Sequence, residues 1–370
     1  MTGPRALGVV VLAVVAAAGS GAAGLAAQDS QYGIRGLGTP GRWESVRARS
    51  TGGAFGPFDA VSPLMEASLA DLDHITAGAM AGASYRTVDA GGTSSALRAT
   101  RFPLLALGGP VSARLVLGGG FTTYLDRSWG VTSRDSAVLR GVNQRYTDSL
   151  TSDGSVADLR LALAGRVGPR LALGGAVHLL AGSTRVTAQR RFDDTTYHVT
   201  QQIDEVRYDG FGVSGSALLT VVPGLRLAAW ARSDNRLRAR VGGATVAEND
   251  LPRMAGGGVR FAPSPTARFA VAAAWRSWSR AGAGAFNTWN WSAGAELGGQ
   301  APFRFGVRGG QLPFGPGTTP PTEFAVAAGL GRLFSAGHGL IDLGVERLRR
   351  QGGGLTEQVW TLLVGITIRP

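Results

Sequence analysis

Hydrophobic and polar side chains alternate along most of the chain after residue 72. Between residues 157 and 167, Leu159 and Leu161 share one face, while Asp158 and Arg160 share the opposite face. The last segment repeats this pattern with Trp360, Leu362, Val364, Ile366 and Ile368 on one face. An alternation of period two is typical of β-strands, since successive side chains point to opposite sides of the sheet. We therefore predict strands that each carry an apolar face.

The length and spacing of these segments favour a transmembrane barrel. Each spans roughly ten residues, the length that a tilted strand needs to cross a bilayer. Short breaks such as Gly168-Pro169 and Pro223-Gly224 alternate with longer polar connections, led by residues 129–155. The breaks predict an all-β fold, a transmembrane antiparallel barrel of about fourteen strands over residues 73–370. A soluble sandwich or propeller fits poorly, because every segment carries an apolar face. Aromatic residues that could form an interfacial girdle are Trp129, Trp275, Trp278, Trp289, Trp291 and Trp360.

The N-terminus predicts export. Arg5 precedes an apolar run over residues 6–18, and small residues follow over 19–27, which is the arrangement of a secretory signal peptide. We assign residues 1–27 to this signal. Because this signal precedes a predicted transmembrane β-barrel, we expect the protein to lie in the outer membrane of a bacterium of the Gram-negative type.

Composition excludes several classes of chemistry. The chain has no cysteine, so disulfides, thiolate metal sites and thiol nucleophiles are absent. All 37 basic residues are arginine, so no lysine can serve a phosphate-binding loop. The net charge of +12 comes from arginines spread singly along the strands, which argues against nucleic-acid binding. The string Gly36-Leu37-Gly38-Thr39-Pro40-Gly41 resembles a dinucleotide fingerprint but does not follow a strand.

Residues 28–72 differ from the rest because they lack alternation. They are rich in glycine and combine basic with aromatic side chains. We predict that this segment is a hatch that plugs the barrel lumen, and the alternative is a periplasmic tail. The residues singled out for the hatch are Arg35, Trp43, Phe55, Phe58, Ser62 and Pro63.

A signal peptide, a hatch of about forty residues and a barrel of about fourteen strands resemble the FadL/TodX family of outer-membrane transporters for hydrophobic compounds. The family hatch closes with an Asn-Pro-Ala-like element, and Ser62-Pro63-Leu64 stands at that place here, departing at two positions. The family's third strand is kinked and opens a lateral gap. In this chain the third segment carries Gly118, Gly119 and Gly120, which are therefore our candidates for a lateral gate.

Charged side chains on the presumed inner faces allow two interpretations. They could form a paired ladder that braces the wall, or a basic lumen that favours carboxylate-bearing solutes. The candidates are Asp158, Arg160, Arg166, Arg226, Arg232, Arg268, Arg276, Arg304, Arg308, Asp342 and Glu346.

No motif in the sequence indicates catalysis. The histidines His74, His178, His198 and His338 are isolated and show no metal-binding spacing. A Ser–His pair could still assemble in space, but the sequence singles out none. We predict that the protein is not an enzyme and uses no cofactor or metal.

The function predicted from these features is passive uptake of small hydrophobic molecules such as fatty acids. The alternatives are a general porin for polar solutes and a non-transport partner of a secretion or assembly machine. The expected partners are outer-membrane lipid, a small hydrophobic ligand and, during biogenesis, the barrel-assembly machinery.

Overall fold

The wall of the molecule is a closed antiparallel barrel. The computed structural model describes residues 30–34, 36–90 and 93–369. Neighbouring strands pair in chain order and the last strand pairs with the first, so the sheet closes. This confirms the predicted all-β barrel and its fourteen strands. The strands are β1 (Thr76–Ala90), β2 (Thr93–Pro110), β3 (Leu115–Asp126), β4 (Val142–Val167), β5 (Leu171–Phe192), β6 (Thr200–Val222), β7 (Leu225–Asp234), β8 (Arg253–Ser264), β9 (Ala267–Arg276), β10 (Thr288–Leu297), β11 (Phe303–Gln311), β12 (Thr322–Phe334), β13 (Gly339–Gly352) and β14 (Leu355–Ile368).

The alternation read from the sequence separates the two faces of the wall. On β4, Leu159, Leu161 and Leu163 are exposed, whereas Asp158 and Arg160 are buried. An apolar outer face suits contact with lipid, and the polar inner face requires partners inside the barrel.

Three further short strands extend the wall at one end. Trp129–Leu139 pairs with the first half of β4, and the hairpin of Arg236–Val241 and Ala244–Asp250 pairs with β6. Strands β4, β5 and β6 have 26, 22 and 23 residues. A tilted strand crosses a bilayer in about 10 residues, so these strands project well beyond the hydrocarbon layer.

The segment before β1, residues 30–72, contains only short elements. They are the 3₁₀ turns Gln31–Gly33, Gly56–Phe58 and Glu66–Asp71, the two-residue strand Thr39–Pro40, and the helix α1, Val46–Ser50. Ser45 caps α1 by accepting a hydrogen bond from the amide of Ala48. Gly52 and Gly53 follow the helix with φ of 69° and 103°, which ends it after one turn.

This N-terminal segment shares its core with the wall. Phe55 and Met65 are completely buried, and their cluster includes Ala164, Leu180 and Leu218 from the barrel. Helix α1 contacts β11 to β14, and the turn Glu66–Asp71 contacts β3, β4, β5 and β6. The segment therefore contacts the inner faces of strands around much of the barrel.

One observation qualifies the expected aromatic girdle. Trp289, Trp291 and Trp360 are exposed as a girdle requires, but Trp278 is only 2% exposed and packs inside. The prediction for Trp278 was wrong, because it lies on a 3₁₀ turn, Trp278–Ala281, rather than on a strand. Among the described residues, no helix is long and apolar enough to cross a membrane.

Candidate functional site

Helix α1 approaches the wall closely because the facing strand positions lack side chains. A Cβ added to Gly294 would lie 2.4 Å from the Thr51 carbonyl oxygen, and one on Gly306 would lie 2.2 Å from the Thr51 carbonyl carbon. Backbone at this distance tolerates only glycine. Gly294 on β10 and Gly306 on β11 therefore have a local packing role.

Buried ion pairs hold the same part of the segment. The carboxylate of Glu296 on β10 accepts hydrogen bonds from Arg47 at 2.8 Å, and from Arg268 and Arg304, both at 2.7 Å. Arg304 also donates to Asp342 at 2.5 Å. Glu296 and Arg304 are almost fully buried. Such charges are tolerated in a protein interior only when they are paired and hydrogen-bonded.

Glu346 on β13 is the second buried acceptor. Its carboxylate accepts hydrogen bonds from Arg42, from Arg49 at 3.2 Å, and from Arg308 at 3.4 Å. Arg42 also contacts Glu44, which belongs to the N-terminal segment. Burial alone would raise the pKa of Glu44, but the charge of Arg42 outweighs it, so this pKa lies below its usual range.

Most of the predicted lumen charges have a hydrogen-bonding or ionic partner among the described residues. Arg166 donates to the Ala70 carbonyl and Arg226 donates to both oxygens of Asp71. Arg276 differs, since among the described residues the hydrogen bond found for its side chain runs to the Met254 sulfur, at 3.4 Å. The remaining predicted charges with ionic partners are Asp158, Arg160, Arg232, Arg268, Arg304, Arg308, Asp342 and Glu346.

The residues singled out in the N-terminal segment lie in its interior. The buried ones are Trp43, Phe55, Phe58, Ser62 and Pro63. The Ser62 hydroxyl accepts a hydrogen bond from the Ser45 amide and donates one to Asp59. These bonds connect the start of α1 to the loop that follows the helix. Arg35 and residues 1–29 lie outside the described residues, and the predicted signal peptide falls among them.

A cavity of about 130 Å³, open to solvent, lies between part of this segment and strands β7 to β13. This volume is below the usual range of ligand pockets and admits only a small molecule. Its lining mixes aromatic, small apolar and charged side chains, and the N-terminal segment contributes Pro40, Gly41, Arg42, Trp43, Glu44, Gly52, Gly53 and Leu64.

Trp43 occupies the centre of an aromatic and basic cluster at this cavity. Its ring stacks on Tyr124 with centroids 5.9 Å apart. The guanidinium of Arg232 lies 4.8 Å from the Trp43 centroid, and that of Arg276 lies 5.3 Å away. Both distances allow cation–π attraction. The Tyr124 hydroxyl donates to Asp234 at 2.8 Å, which connects β3 to β7 across the interior.

The wall is discontinuous between β2 and β3. Their pairing runs from Pro110, opposite Val116, to Leu104, opposite Thr122, and stops there, although β2 continues back to Thr93. Pro103 lies at this point, where the pairing of β2 with β1 also shifts register. Proline cannot donate a ladder hydrogen bond and is confined to edges or bulges.

The N-terminal segment occupies this break. Thr39 and Pro40 pair with Asp126 and Leu125 of β3, in the position that β2 would otherwise fill. The Gly41 amide donates to the Tyr124 carbonyl at 2.9 Å. Leu125 and its neighbour Tyr124 are both buried, although successive strand residues normally point to opposite faces. The reason is a bulge at Tyr124 in the pairing of β3 with β4, which reverses the side-chain order.

The ladder is unbroken at the predicted gate. Gly118, Gly119 and Gly120 pair continuously with β2 on one side and β4 on the other. The break in the wall therefore does not lie at these glycines. A Cβ on Gly118 would lie 2.8 Å from Leu69, so this glycine admits a side chain of the N-terminal segment. The break lies nearer the other end of β3.

A polar chain that the sequence did not reveal joins the wall to the segment. His178 on β5 contacts Asp158 through Nδ1 at 2.9 Å and Ser214 through Nε2 at 2.7 Å. The Ser214 hydroxyl also lies 2.6 Å from Glu66. The order Asp–His–Ser is that of a catalytic triad. However, the Ser214 hydroxyl is hydrogen-bonded to Glu66, and the adjoining cavity has no space for a water molecule, so this serine cannot reach a substrate.

Among the described residues, no group of acidic and histidine side chains has the arrangement of a metal site. The sequence contains weak signals for two features that were not predicted, the break between β2 and β3 and the polar chain from Asp158 to Glu66. Pro103 inside a predicted strand was a signal for the break. The alternating pattern placed Asp158 on an inner face, but it could not show which residues meet across neighbouring strands.

The sequence matches no family profile and no curated protein. The fold, in contrast, is similar to several solved structures. A FadL homologue from Pseudomonas aeruginosa has a TM-score of 0.64 at 14% identity over 90% of this chain and 99% of its own. The P. putida toluene transporter TodX has a TM-score of 0.61 at 12% identity, over 88% and 98%. The monoaromatic hydrocarbon channel CymD has a TM-score of 0.56 at 14% identity, over 91% and 98%. The chain therefore has the barrel fold of the FadL and TodX channels.

Proposed function

We propose that the protein is an outer-membrane channel through which small hydrophobic molecules pass from outside into the bilayer core. The single observation that carries this proposal is the break between β2 and β3, which adjoins the cavity. Pro40 and Gly41 line the cavity and also cover the break. In this proposal, Pro40 and Gly41 are the residues that must move for a molecule in the cavity to reach the break.

The energetics favour a lateral exit. A hydrophobic molecule gains about 25 cal/mol per Å² of apolar surface when it leaves water for hydrocarbon, and it would lose this gain in a watery periplasm. Unpaired backbone groups at the break are tolerable only beside protein or water. The pairing of Thr39 and Pro40 with β3 satisfies this requirement while the exit is closed.

The N-terminal segment, in this proposal, is the hatch that blocks the straight path through the lumen. Its contacts with β3 to β6 on one side and β11 to β14 on the other support this role. The buried carboxylates Glu296 and Glu346 hold one end of it. The printed names of two structural neighbours, a toluene transporter and a monoaromatic hydrocarbon channel, support a small aromatic hydrocarbon as ligand.

A reversible cross-link tests the exit. Pro40 and Leu125 are register partners, and antiparallel partners lie about 4.5–5.5 Å apart, which is within the range of a disulfide. Since the chain has no cysteine, Pro40→Cys with Leu125→Cys introduces one pair only. Oxidation should lower uptake of labelled toluene or fatty acid by proteoliposomes several-fold, and reduction should restore it.

The matched control is Ala293→Cys with Val307→Cys, a register pair on β10 and β11 away from the break. Its oxidation should leave uptake unchanged. Normal uptake by the oxidised Pro40/Leu125 variant would exclude the lateral route. A large steady current of polar ions through the unmodified protein would instead favour a general porin, and neither uptake nor current would favour a non-transport role.

A further inference from the structure

Two arginines and two aromatic rings form a single row of register partners on the outer face of the barrel. On β13, Arg347 lies opposite Trp360 of β14. Tyr85 on β1 lies between Trp360 and Arg98 of β2. The guanidinium of Arg347 lies 4.9 Å from the Trp360 centroid, and that of Arg98 lies 5.9 Å from the Tyr85 centroid. Neighbouring strands are about 4.8 Å apart, so this arginine–aromatic row places two positive charges about 14 Å from each other.

A third arginine adds to the charge of the row. Arg349 is exposed and lies opposite Gln358, which accepts a hydrogen bond from Arg347. Among the described residues, none of these three arginines forms an ion pair. The inward arginine between them in sequence, Arg350 on the same strand, is paired with Glu323 at 2.7 Å. The outward positive charges therefore lack the protein partners that the inward ones have.

The arginine–aromatic row lies at one edge of the apolar band. Beyond Trp360, β14 exposes Leu362, Val364 and Ile368. The band that such a barrel presents to hydrocarbon is about 25 Å tall and is bordered by aromatic girdles. At this border, the stem of an arginine can pack on apolar surface while its guanidinium reaches the headgroups. The row is thus at the depth of lipid headgroups.

The strand directions assign this edge to the outer leaflet. Ala77 near the start of β1 pairs with Ile368 at the end of β14, so both ends of the wall lie away from the row. The short turn between β4 and β5 lies at that same end, whereas β4, β5 and β6 project at the opposite end. Short turns of outer-membrane barrels face the periplasm. The row therefore faces outward from the cell.

We propose that the arginine–aromatic row, with Arg349, binds the phosphorylated glycolipid of the outer leaflet. Its headgroup is a glucosamine disaccharide with a phosphate at each end, which suits two positive groups separated by two rings. Guanidinium groups bind phosphate through paired hydrogen bonds, and basic clusters at the membrane border recognise anionic headgroups. On the same face, Asp89 lies opposite Thr356, a further row toward the strand ends, so the patch stays positive. The site does not depend on what the barrel transports.

Native mass spectrometry of the full chain in a mild detergent, titrated with purified lipid A, measures this binding. The unmodified protein should bind the diphosphorylated form several-fold more tightly than the monophosphorylated form, because one end of the row then lacks its phosphate. Phosphatidylglycerol should also bind several-fold more weakly, since a single phosphate cannot contact both ends. Equal affinity for diphosphorylated lipid A and phosphatidylglycerol would overturn the proposal and leave a general anionic surface.

Substitutions locate the site. Arg347→Gln with Arg349→Gln should weaken binding of diphosphorylated lipid A several-fold, and Arg98→Gln should weaken it at the other end of the row. The matched control is Arg332→Gln, because Arg332 is also an exposed arginine but lies near the opposite end of β12. This control should bind as the unmodified protein does.

Unchanged affinity in the folded double variant, or an equal loss in Arg332→Gln, would contradict the site. The comparison of the two forms of lipid A requires no substitution, so it still tests the proposal if a variant fails to fold. None of these measurements involves uptake or conductance, and the lateral route can therefore fail while the glycolipid site stands.

Discussion

The β12–β13 side of the barrel and the β2–β3 junction show two ways of building a wall. Strands β12 and β13 pair from Thr322, opposite Gln351, to Phe334, opposite Gly339, without a register shift. By contrast, β2 pairs with β3 only from Leu104 to Pro110. One side is a continuous ladder, and the other leaves more than half of β2 without a ladder partner on β3, although Arg101 still forms an ion pair with Asp126.

The N-terminal segment is held differently at these two places. Opposite the continuous wall, α1 is fixed by buried carboxylates and by backbone contacts that only glycine allows. At the β2–β3 break, the segment contacts β3 through the ladder positions Thr39 and Pro40 and through the Gly41 amide, which donates to the Tyr124 carbonyl. Buried ion pairs are costly to break, whereas two ladder positions are not. The difference suggests a strongly held part around α1, called here the anchored end, and a weakly held part at residues 39–41, called the releasable end, while Ser30 and Gln31 before it bind the buried Glu357.

Removing the whole segment should give the largest effect. Deletion of residues 30–72 leaves the wall pairing between β1 and β14 intact, so the barrel should still insert. Conductance in a planar bilayer should rise on the order of ten-fold, because the lumen of such a barrel is wide enough for water. An inserted deletion variant with unchanged conductance would show that the segment does not block the lumen.

At the anchored end, Glu296→Gln should strongly destabilise the folded protein. The substitution leaves Arg47, Arg268 and Arg304 without their shared carboxylate. Removing one partner of a buried ion pair costs about 3–5 kcal/mol, which urea unfolding in detergent can measure. The control is Asp148→Asn, whose exposed pair with Arg190 should contribute little to stability because water screens it. Similar losses in both variants would mean that Glu296 is not an anchor.

At the releasable end, Gly41→Ala and Gly119→Ala locate the exit. A Cβ on Gly41 would lie 1.8 Å from the Thr123 carbonyl oxygen, which should push the segment off β3 and raise ligand uptake several-fold. A Cβ on Gly119 meets its nearest atom at 3.4 Å and should leave uptake unchanged. The reverse result would return the gate to the middle of β3.

The sequence was sufficient to predict the barrel but not its break. Period-two alternation depends only on which side of a strand faces lipid, so it is legible in β4 and β14 without any knowledge of neighbours. A bulge changes this order locally, and Tyr124 and Leu125 are buried together for that reason. Three successive glycines suggested a bend, but glycine serves close packing as readily as bending.

The polar interior was predictable in kind and not in pairing. Inner-face charges such as Arg160 and Asp342 followed from alternation. Their partners lie on distant strands or in the N-terminal segment, as with Arg47 and Glu296, whose positions differ by 249 residues. No local pattern encodes such a contact, because it depends on the strand register and on how the segment enters the barrel. The chain of Asp158, His178 and Glu66 was missed for the same reason.

The smallest expected effect comes from Tyr124→Phe, which separates two contributions at the break. The change keeps the ring that stacks on Trp43 but removes the hydroxyl that donates to Asp234. Asp234 retains its contact with Arg232, so its charge does not become isolated. A hydrogen bond to a charged group contributes about 1.5–3 kcal/mol, and the retained ion pair places the expected loss of stability near the lower value.

Uptake should rise only slightly in Tyr124→Phe, because the stacked ring still covers the break. Tyr124→Ala removes the stack as well and should raise uptake further, with aromatic packing adding about 0.5–1.5 kcal/mol to the loss of stability. Unfolding and uptake measured on both variants separate the two contributions. If Tyr124→Phe already raises uptake as much as Tyr124→Ala does, the tether to β7, and not the aromatic stack, keeps the exit closed.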